Sequence, residues 1–272
     1  MRIASIVGLL VLGAASSACT LSTVTNPDGS ISITGKSKTR FVSADKPVRE
    51  QAYTGQAIEV INDGVNPGSG AGIVINGSPG ATKVVATASI VSWADGSEAE
   101  NAKSAQRDVI ASFTIADVGG KIVVRCGHAK QDYGTATLGS SGCEGLTVTV
   151  PAGDAAKPVS VLARNGNSDI QVSGITGNLT AEAQGAGDVE ASITPTKGSL
   201  ISIAAEFDAT LRLPANFAAD KITLQAADPK DVDATAFPGV KSGEGFGAAG
   251  EGAASISVRS VGLIGKVKLA RQ

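Results

Sequence analysis

The stretch Val159–Ala191 (VSVLARNGNSDIQVSGITGNLTAEAQGAGDVEA) contains the pattern that decides the predicted fold. An Asp followed by alternating apolar residues occurs in it twice, as Asp169-Ile-Gln-Val172 and Asp188-Val-Glu-Ala191. The unit returns as Asp208-Ala-Thr-Leu211, so that the three Asp residues are 19 and 20 positions apart. Alternation with a period of two is typical of a β-strand with one buried face. A constant spacing near twenty is typical of a repeat architecture.

Further apolar segments lie between these units, so strands recur about every ten residues. They are separated by Gly, Asn and Asp, which favour turns. We therefore predict an all-β protein, a single-stranded right-handed parallel β-helix (solenoid) with one short inserted helix. A β-sandwich is the alternative, because it also has short strands at this spacing. The intervening segments are 179–183, 200–204 and 222–226.

The composition agrees with a slim β-rich core. The chain of 272 residues has 34 Gly but only 6 Phe, 2 Tyr and 1 Trp. Ile and Val number 46 against 14 Leu, and β-branched side chains suit strands. The 23 basic and 25 acidic residues nearly balance, which argues against nucleic acid as a partner.

The N-terminus is predicted to be a signal peptide over 1–18. Met1-Arg2 is a minimal basic region, and Ile3–Ala15 is an apolar run too short to span a bilayer comfortably. Small residues then precede Cys19, as in bacterial lipoprotein signals, although Ser16 stands where those signals favour Leu. We predict Cys19 as the lipidation site, the alternative being ordinary cleavage before Cys19.

The cysteine count supports both export and lipidation. Cys126 and Cys143 are 17 positions apart and are predicted to form a disulfide in an oxidising compartment. Cys19 is then left unpaired, which lipidation explains. The single histidine, His128, offers little basis for a nucleophilic triad or a zinc site, so we expect no catalytic residues, no metal and no cofactor.

The rest of the chain is predicted as a tether followed by one domain. Residues 19–54 form an N-terminal tether with a capping hairpin around Pro27-Asp28-Gly29, and residues 55–272 form the solenoid domain. The inserted helix is expected from about Ser97, as its N-cap, to Val109, followed by a strand over 110–115. The Gly-rich segment 237–252 is expected to be a long surface loop.

The repeat segments resemble the bacterial putative-adhesin family of β-strand-repeat proteins. The residues that carry the resemblance are 159–172, 177–189 and 211–214, and it extends over roughly 145–226 and, more loosely, 55–125. The chain departs from the pattern at Glu206-Phe207, which replaces the Gly before Asp208, and at 261–263, which lacks the Asp. The resemblance implies right-handed β-helices that are often exported or membrane-tethered, and no defined activity.

Asp169, Asp188 and Asp208 are the candidate ligand or metal residues of the repeat. In a solenoid they would stack along one edge, near 4.8 Å apart. Such a row could bind Ca²⁺ or, with a basic residue, act in a polysaccharide lyase or hydrolase. The favoured interpretation is that each Asp forms its turn, because Asp commonly bonds its own local backbone.

The sequence thus predicts a non-enzymatic, exported and lipid-anchored cell-envelope protein at the outer membrane, in the periplasm or at the cell surface. It would act as a binding, adhesion or structural surface for envelope protein or polysaccharide, through its strand faces and Gly-rich loop. The alternative is a β-helical enzyme or binding protein that acts on envelope polysaccharide.

Overall fold

The computed structural model describes residues 19–25, 31–37, 39–63, 72–94, 99–127, 142–166, 168–250 and 253–272. The predicted signal peptide 1–18, the N-cap Ser97 and His128 lie outside these residues.

The protein is all-β, as predicted. Within the described ranges it has nineteen strands, one α-helix and a 3-10 helix, Pro229–Asp231. The helix α1 is Ala99–Ser112. The strands are β1 (Cys19–Thr25), β2 (Ile31–Ser37), β3 (Thr39–Val42), β4 (Val48–Ala52), β5 (Ala57–Asn62), β6 (Ile73–Ser78), β7 (Lys83–Ala94), β8 (Thr114–Val118), β9 (Lys121–Cys126), β10 (Gly142–Pro151), β11 (Val159–Asn165), β12 (Ile170–Ala183), β13 (Val189–Thr194), β14 (Leu200–Ala205), β15 (Ala209–Leu213), β16 (Ala219–Gln225), β17 (Val232–Asp233), β18 (Ala254–Ser260) and β19 (Val267–Arg271).

Seventeen of these strands form one large mixed sheet with two ladders. The first ladder has the order β7-β10-β6-β12-β13-β15-β19-β17. The second has the order β8-β9-β5-β11-β12-β14-β18-β16. Most pairings are parallel, while β3, β4 and β10 pair antiparallel with β7 and β8 pairs antiparallel with β9.

In the predicted single-stranded solenoid the strands would stack in chain order, but in the structure not all of them do. Chain order holds from β11 to β15, where the repeat is regular. Elsewhere a later strand enters between earlier ones: β10 lies between β7 and β6, and β18 lies between β14 and β16. The regular spacing that suggested a sequential stack is confined to the middle of the chain.

Strand β12 joins the two ladders through a glycine bend. Its first half pairs in the first ladder and its second half in the second, with a register shift between Ser173 and Ile175. Gly174 and Gly177 have φ of +70° and +138°, which favour glycine. A Cβ on the neighbouring Gly77 would lie 2.0 Å from the Gly174 carbonyl oxygen. The bend therefore requires glycine on both strands.

The core is built from rows of aliphatic side chains that cross the ladders in register. Each member of the two rows below is at most 2% exposed. Fully burying one such large side chain stabilises the fold by about 1.5–3 kcal/mol. The row of the second ladder is Ile122, Ile58, Val161, Leu179, Ile201, Ile256 and Ile222, and that of the first is Leu146, Ile73, Ile170, Val189, Ala209 and Val267.

The inserted helix is present but ends later than predicted, and the strand over 110–115 was wrong. Ala102, Ala105, Val109 and Phe113 are all buried, at helical spacing. The apolar pattern thus continues past 109, and β8 begins only at Thr114. The Gln106 side chain donates hydrogen bonds to the Phe41 carbonyl and the Ser92 hydroxyl, at 3.0 and 3.1 Å.

The N-terminal segment contains the expected hairpin. β1 and β2 pair antiparallel, with Cys19 opposite Ser37. β3 and β4 follow, and both pair with β7 of the large sheet. Residues 39–52 therefore share a sheet with the chain beyond the predicted boundary at 54/55.

The Gly-rich segment, described over residues 237–250, is a mostly exposed loop, as expected, and it also covers an edge of the sheet. Phe246 exchanges two backbone hydrogen bonds with Ala219 of β16, at 2.8 and 3.0 Å. The Ile222 N–H of the same strand bonds the Glu244 carbonyl at 3.1 Å. Phe246 also joins Phe217 and Phe237, with ring centroids 5.0–6.2 Å apart. The segment thus protects the outer edge of β16, where an open strand would recruit another chain.

Phe237→Ala is expected to lower the free energy of unfolding by about 3 kcal/mol, because it removes a buried ring from this cluster. Loosening the cover should also expose the edge of β16 and promote aggregation. Chemical denaturation and light scattering measure the two effects. A variant as stable as the wild type, and no more aggregated, would contradict the edge-cover role.

The predicted disulfide is present. Cys126 ends β9 in the second ladder and Cys143 lies in β10 of the first, with Cα atoms 6.1 Å apart. Both residues are buried. The bond therefore ties the two ladders together near the N-terminal end of the stack.

The double variant Cys126→Ala/Cys143→Ala is expected to lose about 3 kcal/mol of stability by the chain-entropy model. Denaturant unfolding with and without reductant measures this loss. Cys19→Ser is the matched control, and its stability should equal that of the wild type. Equal stability of the double variant would show that the bond is not a structural one.

Candidate functional site

The three repeat aspartates form a row along one edge of the first ladder. Each precedes a strand: Asp169 precedes β12, Asp188 precedes β13 and Asp208 precedes β15. Asp169 Oδ1 accepts a hydrogen bond from the Asp188 backbone N–H, and Asp188 Oδ1 accepts one from that of Asp208, both at 2.9 Å. The sequence prediction had placed these bonds within each turn, whereas they link one repeat to the next.

The row continues beyond the aspartates with residues of different chemistry. Asp208 Oδ1 accepts from the Lys266 backbone N–H at 2.9 Å, so a lysine occupies the next position. On the other side, Gly72 neighbours Asp169, and a Cβ there would lie 1.9 Å from the Asp169 carbonyl oxygen. The carboxylate row is therefore three residues long, bounded by a required glycine and a lysine.

The central carboxylate of the row is electrostatically perturbed. Partial burial raises the pKa of Asp188, and the neighbouring charges of Asp169 and Asp208 raise it further. The hydrogen bond from the Asp208 backbone acts in the opposite direction. Because the net shift is upward, ionisation of Asp188 costs the folded state some stability.

The row does not form one acidic groove beside a basic side chain. Asp169 lines a cleft with Lys46, while Asp208 lines a different cleft with Lys266 and Lys230. Among the described residues, no group of three or more His, Cys, Asp or Glu side chains is placed to hold a metal ion. The three carboxylates instead bond the backbone from strand to strand.

The cleft beside Asp169, which we call the Lys46 cleft, lies on the outer face of the first ladder. Its volume is about 410 Å³, within the range typical of ligand sites. Polar side chains from three strands and two connecting segments lie around the half-buried, outward-facing side chain of Val74. The polar side chains are those of Lys46, Thr87, Ser89, Thr147, Asp169 and Gln171.

Strand register fixes four of the lining residues in a straight line. Thr87 of β7 lies opposite Thr147 of β10, Thr147 lies beside Val74 of β6, and Val74 lies beside Gln171 of β12. With neighbouring strands about 4.8 Å apart, this line spans roughly 14 Å. The cleft is therefore elongated across the strands, on a backbone held by ladder hydrogen bonds.

Sequence reasoning found Asp169 but missed Lys46, Thr87, Thr147 and Gln171. No local motif joins these residues, which come from distant parts of the chain. They meet only because β10 enters between β7 and β6. The sequence indicated only that Thr87, Thr147 and Gln171 face outward, through the alternation of apolar and polar residues along each strand.

Other predicted residues have different positions. Cys19 is the first residue of β1, at the N-terminal end of the described chain. Among the described residues, no helix has the length and apolar character needed to cross a membrane. The disulfide is compatible with an extracellular protein.

Comparison with known proteins gives a distant similarity. No family model and no curated protein matches the chain. Among solved structures, the chain is similar to a "putative cell adhesion protein" from Clostridium sporogenes, with a TM-score of 0.41 and 11% sequence identity. The similarity covers 84% of this chain and 100% of the other. Membership in the family suggested by the repeat stays a prediction.

Asp188→Ala is expected to lower the free energy of unfolding by about 1 kcal/mol, because the Asp208 N–H loses its acceptor. Asp188→Asn keeps an acceptor oxygen and removes the charge, so it should be at least as stable as the wild type at neutral pH. Denaturant titration of the three proteins tests this order.

The pH dependence follows from the direction of the shift. A carboxyl with a raised pKa in the folded state binds more protons there than in the unfolded state, so its contribution to stability falls as pH rises. The stability of Asp188→Asn relative to the wild type should therefore increase as pH rises through the ordinary carboxyl range. A difference that stays constant with pH would contradict the perturbation of Asp188.

Proposed function

We propose that the protein is a non-enzymatic, exported cell-envelope protein that presents its strand faces as a binding, adhesion or structural surface. The observation that carries the proposal is the use of the repeat carboxylates. Asp169, Asp188 and Asp208 each accept the backbone N–H of the next repeat position. Such bonding suits a scaffold, whereas a lyase or hydrolase would need these acids free and near a common base.

Export is supported by the disulfide and by the N-terminal sequence. Cys126 and Cys143 are bonded, and disulfides persist mainly in oxidising compartments. The sequence before Cys19 has the basic, apolar and small-residue regions of a signal peptide. In this proposal cleavage leaves Cys19 as the first residue, and a lipid on Cys19 anchors the protein to the membrane.

The same proposal describes the fold more finely, as a β-solenoid with out-of-order rungs. From β11 to β15 the chain alternates between the two ladders, so each circuit adds one strand to both. Repeats of this kind stack into an elongated body with extended side faces. An anchor at the N-terminus would leave these faces available to material in the envelope.

Metabolic labelling with a palmitate analogue tests the anchor. The wild type should carry the label and sediment with membranes, and Cys19→Ser should lose the label and become soluble. The Cys126→Ala/Cys143→Ala variant should keep the label, which separates lipidation from effects on other thiols. Labelling that persists in Cys19→Ser would refute lipidation at Cys19.

The surface role is tested by sedimentation with isolated cell envelopes. The wild-type protein, released from its membrane by detergent and repurified, should co-sediment with envelopes prepared from cells that lack it. An unrelated secreted β-protein of similar charge is the control. Sedimentation no greater than that of the control would overturn the surface role.

A further inference from the structure

We infer that the Lys46 cleft binds a segment of an uncharged oligosaccharide, an inference that rests on the proposed envelope role and names the ligand class. The cleft lies on the outer face of the first ladder and has a volume of about 410 Å³. Hydrogen-bonded strands provide most of its lining. Three further observations support the inference: unpaired polar groups, their chemistry and the shape of the cleft.

Asp169 accepts the Asp188 N–H through Oδ1, but most other polar side chains of the cleft have no side-chain partner among the described residues. Lys46, Thr87, Thr147 and Gln171 form no side-chain hydrogen bond or ion pair with another described residue. Farther along the same face, two pairs of polar side chains bond each other. Arg212 bonds Glu190 at 2.9 Å and Ser173 bonds Asn76 at 3.1 Å. The cleft thus contains several donors and acceptors that are free for a ligand.

The chemistry of these groups matches a sugar better than an ion. Threonine hydroxyls donate and accept, and the Gln171 amide does both, as sugar hydroxyls require. The two charged members, Lys46 and Asp169, have opposite signs, so the cleft has no net attraction for an anion or a cation. The half-buried Val74 side chain can contact the C–H face of a ring.

The shape of the cleft favours a chain over a compact molecule. The line Thr87–Thr147–Val74–Gln171 crosses four strands and spans roughly 14 Å. Such a line can contact successive units of a linear oligosaccharide. Because the side chains stand on paired strands, little backbone order has to be gained on binding.

The test uses the purified full chain with defined tetrasaccharides. The probes are cellotetraose, maltotetraose, chitotetraose and mannotetraose, with tetragalacturonate as the anionic comparison. Saturation-transfer NMR detects contact, and calorimetry measures affinity. The wild type should bind at least one neutral probe with a dissociation constant of about 1 mM or below, and tetragalacturonate more weakly.

Variants place the binding at the cleft. Gln171→Ala, which removes the amide, and Thr147→Val, which keeps the branched shape and removes the hydroxyl, should each weaken binding about fivefold to tenfold, the cost of one lost polar contact. Thr194→Val, an exposed threonine on β13 away from the cleft, is the matched control and should bind as the wild type does.

Three results would overturn the inference. The first is no binding of any neutral probe at concentrations up to about 10 mM, a range that detects very weak complexes. The second is tetragalacturonate binding as tightly as the neutral probes. The third is equal affinity in Gln171→Ala, Thr147→Val and Thr194→Val. None of these results changes the outcome of Cys19 labelling or envelope sedimentation, so the broader proposal is tested separately.

Discussion

The alignment of inward aliphatic side chains across the ladders is the constraint on which the rest of the structure depends. Ile58, Val161, Leu179 and Ile201 occupy the same register position in successive strands, and all are buried. A shift of one residue would turn each of them to the surface. Burial of each large side chain contributes about 1.5–3 kcal/mol to stability. A row of seven therefore contributes more than any single hydrogen bond at the edge of the ladder. Register is therefore set by the core, and the other features follow from it.

The aspartate row is one consequence of this register. Because Ile170 and Val189 are aligned in the core, the preceding Asp169 and Asp188 are neighbours at the edge of the first ladder. Each carboxylate then accepts a hydrogen bond from the backbone N–H of the residue that precedes the next strand of the ladder. Such a bond contributes about 1 kcal/mol, enough to favour correct stacking but too little to determine it. Partial burial of this carboxyl raises the pKa of Asp188, and repulsion from the neighbouring carboxylates raises it further.

The sequence predicts well the features that depend on local pattern. The alternation at Asp169–Val172 identifies a strand, and the spacing of Cys126 and Cys143 identifies the disulfide, because both signals lie within short segments. Strand order could not be predicted in the same way. The Leu146–Val150 segment reads as an ordinary strand, and nothing in it indicates pairing with both β6 and β7. The Gly-rich segment likewise covers β16 through backbone bonds that glycine-rich composition does not reveal.

The candidate ligand site lies where the repeat is irregular, and there is a physical reason for this. In the regular part, the constant register places Arg212 diagonally across from Glu190, two positions beyond the paired Thr210, and the two charged side chains bond each other. Where β10 enters from a distant part of the chain, Thr147 meets Thr87 and Val74, and no such complementarity arises. Lys46 arrives from a connecting segment and completes the wall. The regular stack supplies rigidity, and the irregular insertion supplies a cleft with unpaired groups, so recognition is expected at the junction between them.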